Sequence, residues 1–180
     1  MQQEVIIVGG GMVGLSLALM LAKQNIAVKL LEAIKYPNYD DVNLVPYHSS
    51  FDARNSALSR RTVQIYQELG LWSALQEHAT PILEVNITEQ GSFGKARLKA
   101  EQEKVESFGQ VIENAWLGRV LLTEVQKQPL IELIDGVQGT QLTQDADMAY
   151  IAASRGEEQL SFKQNSSLLQ MDVIHSAVKP

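Results

Sequence analysis

The sequence predicts an α/β fold that opens with a parallel βαβ unit and carries an inserted β-meander further along. Three observations predict it. Val5-Ile6-Ile7-Val8 is a short, fully apolar, β-branched run of the kind found in buried parallel strands. Gly9-Gly10-Gly11-Met12-Val13-Gly14 follows at once and fits G-x-G-x-x-G. Met12 to Gln24 then has helix-forming composition, apolar all round, and Ala27-Val28-Lys29-Leu30-Leu31 is a second apolar run ending in Glu32.

Each piece has a physical task. Gly9 lets the chain turn sharply off the first strand, and Gly14 lets the helix pack close to it. Gly11 has no side chain to hold a pyrophosphate away from the backbone. The start of the helix, at Met12 and Val13, offers free N–H groups and the positive end of the helix dipole. Asn25 tolerates the left-handed conformation that ends a helix. Glu32, followed by Ala33, stands where a carboxylate accepts hydrogen bonds from ribose hydroxyls. The candidate dinucleotide-binding residues are therefore Gly9, Gly11, Met12, Val13, Gly14, Glu32 and Ala33.

Val5 to Ala22 contains no charged residue, which invites a membrane reading. A secretion signal would have a basic segment first, and here Met1, Gln2, Gln3 and Glu4 precede the run. A membrane-spanning helix would be weakened by three successive glycines. Composition agrees with a soluble globular chain: 45% hydrophobic and 20% charged residues. The net charge of −6 gives no bulk basic field for nucleic acid. The absence of cysteine excludes disulfides and thiolate chemistry. His48, His78 and His175 are scattered, without metal-ligand spacing, and no metal site is expected.

Tyr36 to Ser50 reads as a long polar loop. Ile82 to Thr88 alternates apolar and polar residues, as a half-buried strand does. Lys95 to Gly109 is polar and charged and reads as solvated surface. Asp135-Gly136 and Arg155-Gly156 are hairpin signals, so the meander is expected over roughly Ile131 to Lys163.

The residues also carry a resemblance. Gly14, Ala18, Leu21 and Glu32 follow the spacing of flavoproteins that bind FAD on a Rossmann-like unit. Asn25 replaces the usual glycine before the second strand. The stretch from Phe51 to Leu75, with Asp52, Arg54, Ala57, Leu58, Gly70, Leu71 and Trp72, resembles a segment of the aromatic-ring hydroxylases. More closely, it is similar to the ubiquinone-biosynthesis hydroxylases that act on polyprenyl phenols. Gly109 to Gln126 resembles the same family's strand-then-helix segment, with Asn114 expected to cap the helix and Trp116 and Val120 to pack in the core.

The resemblance implies a Rossmann-like FAD-binding domain covering residues 1–180, incomplete at its C-terminus. It implies FAD as cofactor, with Arg54 and Arg119 near the flavin, and NADPH or NADH as reductant. A polyprenyl phenol is the implied substrate and O₂ the oxidant. No side chain is singled out as catalytic, because the cofactor carries the chemistry. Near the C-terminus, Asp172 and Ser176 match the family's A-D-G-x-x-S-x-x-R pattern, whereas Val173 and Lys179 depart from it. The chain alone is therefore expected to be inactive. A same-fold flavoprotein with another substrate, and an inactive nucleotide-binding remnant, stand as alternatives. The expected location is the cytoplasm, with access to the inner membrane peripherally or through partner proteins and a tendency to self-associate.

Overall fold

The computed structural model describes residues 4–36, 51–88 and 94–165. In chain order they form β1 (Glu4–Val8), α1 (Met12–Lys23), β2 (Ala27–Leu31), β3 (Asn55–Ser59), α2 (Arg60–Glu68) and α3 (Trp72–Leu75). Then come β4 (Ala79–Pro81), β5 (Glu84–Thr88), β6 (Lys95–Lys99), β7 (Gly109–Glu113) and α4 (Asn114–Lys127). The last strands are β8 (Ile131–Ile134), β9 (Gln138–Gln144), β10 (Met148–Arg155) and β11 (Glu158–Asn165). The contacts divide the chain into two compact units, one of residues Met1–Ser50 and Leu121–Pro180, the other of Phe51–Val120.

The first unit holds the βαβ start. β1 and β2 pair in parallel with Ile6 opposite Lys29, and β8 adds in parallel on the far side of β2. Strand alternation splits the apolar residues between two faces. Ile6 and Leu31 pack with Ile151 of the antiparallel meander β9-β10-β11, flanked by Ile134 and Phe162. Ile7 lies on the side of α1, which buries Leu15, Ala18, Leu19 and Ala22. Lys29 reaches Glu4 at 2.9 Å and Glu132 at 3.7 Å, linking all three parallel strands.

α1 ends as its sequence asks. Asn25 adopts φ 60°, its N–H donates to Ala22 O and the Ile26 N–H to Leu21 O, the paired bonds of a Schellman motif. The Arg155-Gly156 hairpin also forms. Arg155 pairs with Glu158 across a two-residue loop, and Gly156 at its first position has φ +62°, as a II′ turn requires.

Two expectations need correction here. The meander runs from β9 to β11, starting at Gln138 rather than Ile131, because Ile131–Ile134 is the third parallel strand. Asp135-Gly136 therefore makes no hairpin. It carries the chain from the parallel sheet into the meander, with Gly136 at φ +66° and the Val137 N–H donating to Glu32 O.

The second unit contains the antiparallel sheet β3-β7-β4 and the two-stranded ribbon β5-β6. Its core is Phe51, Leu58, Tyr66, Leu71, Leu75, Ile112 and Leu117. Ser59 caps α2 by accepting from the Thr62 N–H. Gly70, at φ +77°, closes the helix with a second Schellman pair, Gly70 N–H to Gln67 O and Leu71 N–H to Tyr66 O. Lys95–Lys99, read from sequence as solvated surface, is strand β6 paired with β5. Its charged composition gives no sign of the strand, whose backbone pairs with a neighbour.

Among the described residues, no helix is long and apolar enough to cross a membrane. The matches to Asp172, Val173, Ser176 and Lys179, and most of the loop from Tyr36 to Ser50, lie outside the described residues.

Candidate functional site

The glycine turn joins β1 to α1 in the first unit. Gly9 has φ +104°, a conformation that side chains rarely adopt, and its N–H donates to Leu31 O at 2.8 Å. A Cβ on Gly14 would overlap the Gly9 carbonyl oxygen, so the turn and the helix touch backbone to backbone. Gly11 stands at the N-cap of α1 with no side-chain capping bond, and its carbonyl accepts the first intrahelical bond from Leu15. Met12 opens the helix and Val13 is 69% exposed, so the helix start faces solvent. Backbone N–H groups at such an end, uncapped by a side chain, suit an anion.

Glu32 ends β2 and is buried. Its Oε2 accepts from the Gly10 N–H at 2.5 Å and its Oε1 from the Ile34 N–H at 2.9 Å. The carboxylate expected to meet a ribose thus also shapes the turn. A carboxylate has about four acceptor positions, so these two bonds do not by themselves exhaust it. Ala33 beside it is exposed.

Sequence reasoning missed Tyr36. Its Oη donates to Gly10 O at 2.5 Å and its N–H to Asp135 Oδ2 at 2.9 Å. The signal present in the sequence was the middle glycine of the run, Gly10, a position that the G-x-G-x-x-G pattern leaves open.

Arg54 belongs to the second unit and lies on the segment leading into β3. Its Nε donates to Asp52 Oδ2 at 2.6 Å, and its side chain is 77% exposed. The Asp52 carboxyl is held below its ordinary range, chiefly by the Arg54 backbone N–H; desolvation opposes this, and the Arg54 side chain and Asn114 add to the lowering. Asn114 does not act as the simple side-chain cap that was expected. Its Oδ1 accepts from Ser56 Oγ at 2.6 Å and its Nδ2 lies 3.4 Å from Asp52 Oδ1. The Asn114 and Ala115 N–H groups at the start of α4 donate instead to the Arg54 and Asp52 carbonyls.

Arg119, one turn further along α4, sits over the Trp116 ring at 5.8 Å from its centroid. Trp116 is only half-buried, packs against His78 at 3.9 Å and donates from Nε1 to Ala74 O. It is held at an edge of the unit rather than within the core. Val120 is likewise half-buried. The structure therefore gathers Gly9, Gly11, Met12, Val13, Gly14, Glu32 and Ala33 at one turn, and places Arg54 and Arg119 on the other unit. Among the described residues, no cluster of His, Asp and Glu could hold a metal ion.

Comparison with known proteins bears on this arrangement. The FAD binding domain family matches residues 2–163. The chain is similar to the ubiquinone hydroxylase UbiL of Rhodospirillum rubrum, 29% identical over 86% of this chain and 34% of that protein. It is also similar to the 3-demethoxyubiquinol 3-hydroxylase of Escherichia coli, 34% identical over 72% of this chain and 32% of that protein. It spans about a third of the length of these curated relatives. Among solved structures, the anhydrotetracycline hydroxylase OxyS of Streptomyces rimosus superimposes with a TM-score of 0.69 at 21% identity, over 91% of this chain and 30% of that one. The flavin-dependent monooxygenase PieE, solved with FAD and substrate, gives 0.65 at 20% identity, over 92% and 29%. With its glycine turn, its βαβ start and a family match across nearly all of its length, the chain belongs to the FAD binding domain family.

Proposed function

We propose that this chain supplies the ADP-binding part of a monooxygenase that hydroxylates a polyprenyl phenol, with NADPH or NADH as reductant. The observation that carries the reading is the turn itself: Gly9 at φ +104°, Gly14 against the Gly9 carbonyl, and an α1 start without a side-chain cap. These residues fit the dinucleotide half of FAD. The N–H groups around Gly11, Met12 and Val13 would hold the pyrophosphate, aided by the helix dipole. Glu32 and Ala33 would meet the ribose. The assignment of Arg54 and Arg119 to the flavin side rests on resemblance; a guanidinium there would donate to phosphate or flavin oxygens. Bound FAD supplies the redox and oxygen-transfer chemistry, and the protein binds, orients and shields it.

The choice of substrate is supported by two of the relatives, a ubiquinone hydroxylase and a demethoxyubiquinol hydroxylase. Such substrates reside in the bilayer, so the reading includes a cytoplasmic protein that meets the inner membrane peripherally or through partners. Titration of the purified chain with FAD, followed by flavin fluorescence and competed with ADP, tests the first part. Saturable binding that ADP displaces is expected, and its absence overturns the reading. Turnover of a prenylated phenol, compared with unprenylated phenols and with FAD and NADPH or NADH supplied, tests the second.

A further inference from the structure

The G-x-G-x-x-G pattern accounts for Gly9, Gly11 and Gly14 but not for Gly10. Gly10 is outside the left-handed region, so its backbone does not demand glycine. Space does. A Cβ there would overlap the Tyr36 Oη and stand 3.0 Å from Tyr36 Cζ and 3.1 Å from Glu32 Cβ. Tyr36 is itself held in place by the bond from its N–H to Asp135.

Two adjoining peptide planes are thereby fixed. In a trans peptide, the carbonyl of one residue and the N–H of the next point in opposite directions. Glu32 accepts the Gly10 N–H, which turns the Gly9 carbonyl the other way, towards Gly14. Tyr36 donates to the Gly10 carbonyl, which turns the Gly11 N–H away from Tyr36. The Gly11 N–H is among the groups offered to the pyrophosphate in the function proposed above.

We propose that Tyr36 is a positioning residue of the dinucleotide site: its hydroxyl sets the Gly10–Gly11 peptide, and hence the direction in which the Gly11 N–H meets phosphate. Gly10 is glycine to admit the Tyr36 ring, not the ligand. The inference rests on reading the turn as an FAD site.

The test compares the parent with Tyr36→Phe, Gly10→Ala, Tyr36→Ala and the Gly10→Ala/Tyr36→Ala pair. FAD and ADP dissociation constants are measured well below every melting midpoint. Tyr36→Phe keeps the ring and loses the bond to the Gly10 carbonyl, so affinity for both ligands should fall about 5- to 10-fold, alongside a modest drop in the melting midpoint. The Gly11 amide resonance of the free protein should move in the same variant, a signature that general loosening would not confine to that residue. Gly10→Ala should bind worse than Tyr36→Phe, and removing the ring in the double variant should recover part of the loss. If Tyr36→Phe binds ADP as tightly as the parent with an unmoved Gly11 amide, or if the double variant is no better than Gly10→Ala, this inference alone falls. If the parent binds neither ADP nor FAD, the proposed function falls first and takes the positioning role with it.

Discussion

At the glycine turn, Gly10 is gripped through both of its backbone polar groups, by Glu32 and by Tyr36. At the Asp52–Arg54 turn the backbone is held as well, since α4 donates its first N–H groups to the Arg54 and Asp52 carbonyls. The side chains differ. Glu32 is buried and committed to shaping its own loop, whereas the Arg54 guanidinium stands 77% exposed, tied through Nε to a carboxylate two residues away. The first region is a site organised down to its functional group. The second has an organised backbone carrying a mobile-length side chain, which a ligand would have to order at a cost in rotamer entropy. Substitutions should therefore cost folding stability at the first region and mainly ligand affinity at the second.

The largest effect should come from Gly14→Val. Its side chain would have to displace the Gly9 carbonyl, which is backbone and cannot swing aside. Destabilisation at or above the upper end of the usual ~1–3 kcal/mol for overpacking is expected, with FAD binding lost. Urea denaturation read by circular dichroism measures it. A Gly14→Val chain with parent stability would mean that α1 is not pressed on the turn at all.

Glu32 comes next. Glu32→Ala strands the Gly10 and Ile34 N–H groups, at a cost of about 2–3 kcal/mol for partners left without an acceptor. Glu32→Gln retains one acceptor oxygen and should lose less. Denaturation of the two variants side by side sharpens the comparison, because a carboxylate serving only the ligand would leave both as stable as the parent.

Gly118→Ala probes the second unit by the same logic as Gly14. The added methyl would run into the buried Phe51 ring, but a ring can shift and alanine favours helix. A net loss of about 1 kcal/mol is expected, from overpacking of ~1–3 kcal/mol less the propensity gain of up to ~1. Loss as large as for Gly14→Val would erase the contrast between backbone and side-chain obstruction.

The smallest change in stability belongs to Arg54→Ala. Its thermal midpoint should match the parent, while FAD affinity drops if the guanidinium meets the cofactor. Asp52 adds a pH signature. Its carboxyl is depressed in the folded chain, so its contribution is present above the ordinary aspartate range and is lost as pH falls through the lower folded value. The difference in melting temperature between parent and Asp52→Asn should be constant above about pH 4 and shrink below it. A difference that grew on acidification would contradict the arrangement.

Local chemistry made much of this fold legible. Val5-Ile6-Ile7-Val8 and the G-x-G-x-x-G run predict a strand and a turn that the structure contains, and Gly9 has the conformation its position demanded. Asn25 and Gly156 end a helix and turn a hairpin because their own backbone preferences decide the matter. FAD as cofactor was legible for the same reason, since a phosphate-binding turn is contained in a few adjoining residues.

Pairing and proximity were not legible, because they depend on residues far apart in the chain. Ile131–Ile134 looks alike whether it lies parallel beside β2 or opens a meander, and only the surface offered by β2 selects the first. Lys95–Lys99 has a solvated sequence and becomes a strand because β5 supplies its backbone partners. Asn114 is a good cap by composition, yet Ser56 and Asp52 take its side chain once β3 lies beside β7. Tyr36 reads as a loop residue along the chain, and only the fold brings its hydroxyl to Gly10. The sequence by itself determined what each short segment prefers, through φ, side-chain period and charge. Tertiary structure decided which hydrogen-bonding groups meet, since a donor's partner is chosen by distance in space and not by distance along the chain.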